Sequence, residues 1–225
     1  MSRARVAGRF ALALAAALAF TGCTTASDAL PAPTATATMT PTATPSPTVD
    51  DEPTISRVLV VGLDGLELVA DDEIVGAVAY ADGAGTLAFL AGLLGSTPEG
   101  EASPLGSPTT SYDWGGDVSF SVVDGGPANG FSTSVAIWGD VAIATRQGIM
   151  VGSPITEVLA LGAIETGVDA NGDGTPDMYG LEAREEPGTV SLEDPSKVGT
   201  SWIGVVVEDG TVARILVPAN DWGDL

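Results

Sequence analysis

From residue 54 onward the sequence predicts an α+β fold: antiparallel sheets, each with a short helix, in two tandem similar units, 54–130 and 131–225. Three observations carry this reading. Valine-rich apolar runs are closed by short Asp/Gly turns, the usual punctuation of strands. Two leucine-bearing segments place their apolar residues at helical spacing. A helix ending in Leu-Gly, a loop, and a strand that begins at tryptophan and closes in Asp-Gly occur twice, as DWGGDVSFSVVDG and SWIGVVVEDG. Leu94 lies 20 residues before Trp114, but Leu161 lies 41 before Trp202, so the second unit carries an insertion of about 21 residues.

In the first unit, residues 58–61 are an apolar run punctuated by Gly62, Asp64 and Gly65. Residues 66–69 and 74–80 flank Asp71-Asp72-Glu73 and predict a β-hairpin. Leu87, Leu90, Ala91 and Leu94 fall at i, i+3, i+4 and i+7, one face of a helix that Gly95 terminates. Residues 96–111 read as a polar loop; Trp114, Val118, Phe120 and Val122 then alternate along a strand with one buried face.

In the second unit, strands over 132–138 and 141–145 are split by Gly139-Asp140, a hairpin turn. Ser153 suits an N-cap and Pro154 the first helical position. Ile155, Val158 and Leu159 make the buried face of that helix, and Gly162 stops it. Strands are expected at 178–185, 202–207 and 211–217, the last two turned by Glu208-Asp209-Gly210.

The first 22 residues have the makeup of an export signal. Arg3, Arg5 and Arg9, with no acid among them, precede a wholly apolar run over 10–20. That run is too short for the roughly 20 residues a bilayer core requires. Residues 20–23, Phe-Thr-Gly-Cys, resemble the bacterial lipobox, with phenylalanine where leucine is usual. The resemblance implies removal of 1–22 as a signal peptide and a covalent lipid, palmitate among its chains, on Cys23. The mature protein would then be extracellular, held to the outer face of the cytoplasmic membrane, and two or more acyl chains would make that anchoring stable. Cys23 is the single cysteine, so an intrachain disulfide is ruled out. Residues 23–53, nearly all Thr, Ala, Pro and Ser after the cysteine, hold too little hydrophobic area to offset the entropy of ordering and predict a disordered tether.

Charge narrows the partners. Loss of 1–22 removes three of the eight bases and none of the 30 acids, leaving 5 − 30 = −25. The five remaining bases, Arg57, Arg146, Arg184, Lys197 and Arg214, are scattered, so no nucleic-acid partner is expected. With no histidine in the chain, Ser–His and Cys–His nucleophile pairs and imidazole metal sites are excluded.

The insertion in the second unit contains DANGDGTPD, residues 169–177. Its D-x-N-x-D-G-x-x-D spacing resembles the calcium loops of EF-hands and dockerins, in which alternate oxygen side chains surround a hard cation and glycine permits the turn. The resemblance implies Asp169, Asn171, Asp173, the backbone of Thr175, and Asp177 as ligands of a calcium ion. Gly180 stands where an EF-hand has its bidentate glutamate, and Glu182 lies two places on. Flanks of strand character favour a calcium-stapled β-loop over an EF-hand, and an ion-free Asp/Asn/Gly turn fits the same residues.

Carboxylate pairs can run glycoside hydrolysis, and Asp64 with Glu67 or Asp113 with Asp117 are candidates, although 30 acids place such pairs together by chance. Trp114 and Trp202, if exposed together, would mark a binding face. Over 148–218 a glycine strand end, a Gly-Ser cap, Glu-Val-Leu-Ala-Leu-Gly and a strand meander resemble the helix-plus-sheet module of β-lactamase inhibitor protein repeats and of the barrel-assembly lipoprotein BamE. Those families bind or assemble without catalysis, and no binding residue transfers from them. The overall layout is similar to envelope lipoproteins of high-GC Gram-positive bacteria. The expectation is a non-enzymatic surface lipoprotein that binds a protein or envelope glycan. A purely structural envelope protein comes second and a carbohydrate-active enzyme third.

Overall fold

The valine-rich runs do form strands, most of them paired with the strand next in sequence. The computed structural model describes residues 56–103, 108–123 and 129–222, which lie in one compact unit, Val49–Leu225. The export signal 1–22 and the tether 23–53, Cys23 included, lie outside the described residues.

β1 (Arg57–Val61), β2 (Gly65–Ala70) and β3 (Glu73–Ala79) run as an antiparallel meander. The β2–β3 turn is the predicted one, with Asp71 and Asp72 at φ 50° and 63°, the left-handed region that tight hairpins require. α1 (Gly83–Leu94) follows, capped by Asp82, whose carboxylate accepts from Gly85 N at 2.9 Å. Gly95 ends it at φ 112°, its N–H donating to Ala91 O.

The expected loop over 96–111 instead holds β4 (Gly100–Ala102) and the first half of β5 (Thr109–Trp114). The alternating run from Trp114 is not one strand either: Gly115 and Gly116 turn at φ 72° and 84°, and β6 (Val118–Val123) returns antiparallel. The expected strand over 132–138 divides into β7 (Gly130–Thr133) and β8 (Ile137–Trp138), which join different sheets. β8 makes the predicted hairpin with β9 (Val141–Thr145). α2 spans only Ile155–Ala160; its N-cap is Pro154, and the Ser153 hydroxyl accepts from Met150 N instead of capping. Val158 is fully buried, but Leu159, expected beside it, is 46% exposed. β10 (Ile164–Glu165), β11 (Met178–Glu185), β12 (Thr200–Glu208) and β13 (Thr211–Asn220) complete the chain as an antiparallel series.

One sheet has the order β3-β2-β1-β9-β8 and the other β10-β11-β12-β13-β7-β6-β5-β4. Strand pairing therefore crosses the boundary expected at 130/131. β1 pairs with β9, in parallel, from Arg57↔Val141 to Val61↔Thr145, and β7 joins β6 to β13. The fold is α+β in the coarse sense, mostly strand with two helices among the described residues, and its sheets are antiparallel apart from the β1–β9 ladder. Leu59, Leu66, Leu90, Phe120, Phe131, Ile143, Ile203 and Ile215 are fully buried in one core shared by both sheets and α1. No helix among the described residues is long and apolar enough to cross a membrane.

Candidate functional site

A cleft of about 590 Å³, within the range of small-molecule sites, lies between the β1–β2 turn, the end of β3, the residue after β9 and β11. The turn is held by Gly62 N donating to Gly65 O and by Tyr80 N donating to Asp64 O, both at 3.0 Å. Gly65 is required by packing: a Cβ there would meet Val78 O at 2.1 Å. Without a side chain there, β3 can lie close against β2, and Asp64 and Glu67 both line the cleft.

Two arginines face those acids from distant parts of the chain. Arg184 on β11 donates to both Asp64 oxygens at 3.0 and 2.9 Å and also to Glu186. Arg146, just past β9, makes a bidentate pair with Glu67 at 3.2 Å on each arm. Hydrogen bonding from Arg184 holds the Asp64 carboxyl below its ordinary range, and the Glu67 pair raises Arg146. Glu182, on β11, completes the cleft.

A smaller cavity of about 230 Å³ shares Leu63, Asp64 and Arg184 and adds Tyr80, Asn129 and Trp222. Tyr80 is 4% exposed and its hydroxyl has no hydrogen-bond partner. Burial first, and the Asp64 charge second, push that hydroxyl well above its ordinary pKa, so it stays protonated.

The predicted calcium ligands form a separate region. Asp169, Asn171, Asp173, Thr175 and Asp177 lie in the connection between β10 and β11, a β-loop as expected. The loop folds on its own side chains. Asp169 accepts from the backbone N–H of Gly172, Asp173 and Gly174; Asn171 from Asp173; Asp173 from Thr175. Asp177 accepts from the N–H of Ala170 and Asn171 and from the Asn171 amide. Asn171, Asp173, Thr175 and Asp177 line a cavity of about 620 Å³ with Glu208, Asp209 and Leu159. Carboxylate and amide oxygens suit a hard cation, but among the described residues no three His, Cys, Asp or Glu side chains are arranged to hold one. Glu182 is no closing ligand for this loop, since it faces the other cleft.

Of the two carboxylate pairs, Asp64 and Glu67 share the cleft, while Asp113 and Asp117 sit with Arg214 in a polar hollow of about 130 Å³. Trp114 and Trp202 are 5% and 7% exposed, which removes the argument for an aromatic binding face.

Compared with known proteins, the chain matches no family model, no curated protein and no solved structure. Sequence reading treated Arg146 and Arg184 as scattered and Glu182 as a spare calcium ligand. The available signal was scarcity: two of only five bases beyond residue 22 line one cleft.

Proposed function

We propose that this chain is a lipid-anchored protein of the outer face of the cytoplasmic membrane, carried on Cys23, whose folded part is a non-catalytic binding module with the Asp64–Arg184 cleft as its ligand site. The observation that carries this is the cleft itself: a small-molecule-sized hollow walled by two bidentate arginine–carboxylate pairs, with a further carboxylate, Glu182, between them. Bidentate pairs fix side-chain planes and so pre-organise a polar wall. The same pairing argues against acid–base catalysis. Asp64 is held ionised by Arg184, which makes it a poor proton donor, and Glu67 is committed to Arg146.

The loop over 169–177 is proposed to serve as a calcium staple of the β10–β11 connection rather than as a ligand site. Its hard-oxygen side chains and their alternate spacing support this.

Soluble envelope glycans and peptidoglycan fragments titrated against the full chain should bind, and Glu67→Ala should weaken that binding at least tenfold. Absence of binding to any of them would leave the structural envelope role. Cys23→Ala should move the protein from the membrane to the soluble fraction, and retention in the membrane would overturn the anchoring.

A further inference from the structure

Four non-glycine residues among those described have left-handed backbone. Asp71, Asp72 and Asp209 sit in hairpin turns, where the geometry demands it. Glu182, at φ 53°, sits inside a strand. Leu181 pairs with Ile203 and Arg184 with Ser201, so Glu182 and Ala183 stand opposite Trp202 alone. This is a β-bulge, and it re-aims the side chains around it. A glutamate in left-handed backbone is strained, and strain of this kind gathers at ligand sites.

The side chain makes the strain informative. Glu182 lines the cleft, and its Oε1 is buried with no hydrogen-bond partner among the described residues. A buried charged oxygen without a donor is costly. The nearby guanidiniums do not relieve it. Arg184 commits four hydrogen bonds to Asp64 and Glu186, and Arg146 commits both terminal nitrogens to Glu67. Arg146 feels the Glu182 charge, yet no ion pair joins them among the described residues.

We propose that Glu182 is the anchor for a cationic nitrogen, so that the cleft takes a small ligand bearing an ammonium group, to which the Glu182 carboxylate turns its unpartnered Oε1. This rests on the reading of the cleft as the binding site. The unpartnered function lining the cleft is an acceptor with negative charge, and its complement is a charged donor. Ala77 and Val78 supply an apolar wall for the ligand's carbon chain. A net charge of −22 raises the local concentration of cations and disfavours anionic competitors.

The test is calorimetric titration of the full chain with 1,4-diaminobutane, butane-1,4-diol and succinate. Diaminobutane should bind at one site, with the diol and succinate at least tenfold weaker. Glu182→Gln, which keeps shape and removes charge, should weaken the diamine at least tenfold, the scale of a lost charge-assisted hydrogen bond. Glu157→Gln, the same charge change on exposed α2, should leave it unchanged. Glu182→Gly should raise the melting temperature by relieving the left-handed backbone while abolishing diamine binding. A merely structural glutamate would not show that opposite pair of effects.

Equal weakening by Glu157→Gln would mean attraction to the overall field and would overturn the proposal. Glu182-dependent binding of calcium in place of the diamine would also overturn it. Succinate binding that depends on Arg146, with no diamine binding, would end the ammonium proposal and keep the cleft as a site. No response to any of the three probes would end the ammonium proposal, and the glycan titration alone would then decide whether the cleft is a site.

Discussion

The Asp64–Arg184 cleft and the loop over 169–177 both gather acids, and they stabilise them in opposite ways. In the cleft, acids meet arginines that lie 120 and 79 residues away in the chain. In the loop, the side-chain oxygens of Asp169, Asn171 and Asp173 accept from backbone N–H groups two to five residues on. The cleft is a product of tertiary packing and falls with it, whereas the loop is a product of local turn chemistry. That difference sorts what each region can do: the cleft holds side chains at fixed mutual positions, as selective binding requires, and the loop offers oxygens that can turn toward a cation.

The comparison breaks most sharply at Leu66, fully buried in β2 beneath the cleft rim. Leu66→Ala should cost about 2–5 kcal/mol as transfer and cavity terms combine, read from the denaturant midpoint, and should abolish cleft binding. A cost under about 1 kcal/mol would mean that the rim does not depend on the core below it.

The loop should respond on a smaller scale. Millimolar calcium should stabilise the protein by about 1 kcal/mol if the loop binds like weak extracellular modules, a rise of about 2–4 °C in melting temperature. Asp173→Ala should cancel it, and an identical melting temperature in calcium and in chelator would dismiss the staple. Asp177→Ala removes three hydrogen bonds inside the loop. It should speed amide exchange at Ala170 and Asn171 by roughly tenfold or less, about 1 kcal/mol of local opening, and leave cleft binding unchanged.

The smallest effect concerns Asp64, whose side chain is 77% exposed despite its two bonds to Arg184. Asp64→Asn should cost less than about 1 kcal/mol at neutral pH because solvent screens the pair. The folded pKa is depressed, so the pair's contribution is complete above the ordinary carboxylate value near 3.9 and is lost as pH falls through the lowered one. Urea melts of wild type and Asp64→Asn should therefore converge in acid; a gap that persists there would put the stabilisation elsewhere.

What could be read from the sequence follows the same division. The β2–β3 hairpin, the end of α1 at Gly95, the β8–β9 turn and the 169–177 loop were all legible, because each is dictated by residues within a few positions of one another. The cleft was not. Asp64 and Glu67 were noticed only as one chance pair among 30 acids, since nothing local links them to Arg184 and Arg146. The run over 132–138 looked like one strand because periodicity cannot say that β7 will follow β6 while β8 turns back to β9. The bulge at Glu182 was hidden for a related reason. It arises from the mismatch between β11 and β12, and a single strand's residues carry no record of its partner's register. The parallel β1–β9 ladder joins residues 84 apart, beyond any pattern of local turns.

That ladder also decides how the protein bears load. β1 is the middle strand of its sheet and the first strand of the described residues. A pull on β1 meets five registered pairs with β2 and five with β9, together with the Arg57–Asp140 clamp at 2.6 Å. Those bonds must slide together, in shear, where an outermost strand such as β3 would peel away one rung at a time. β1 is thus the strand of its sheet least able to be unzipped.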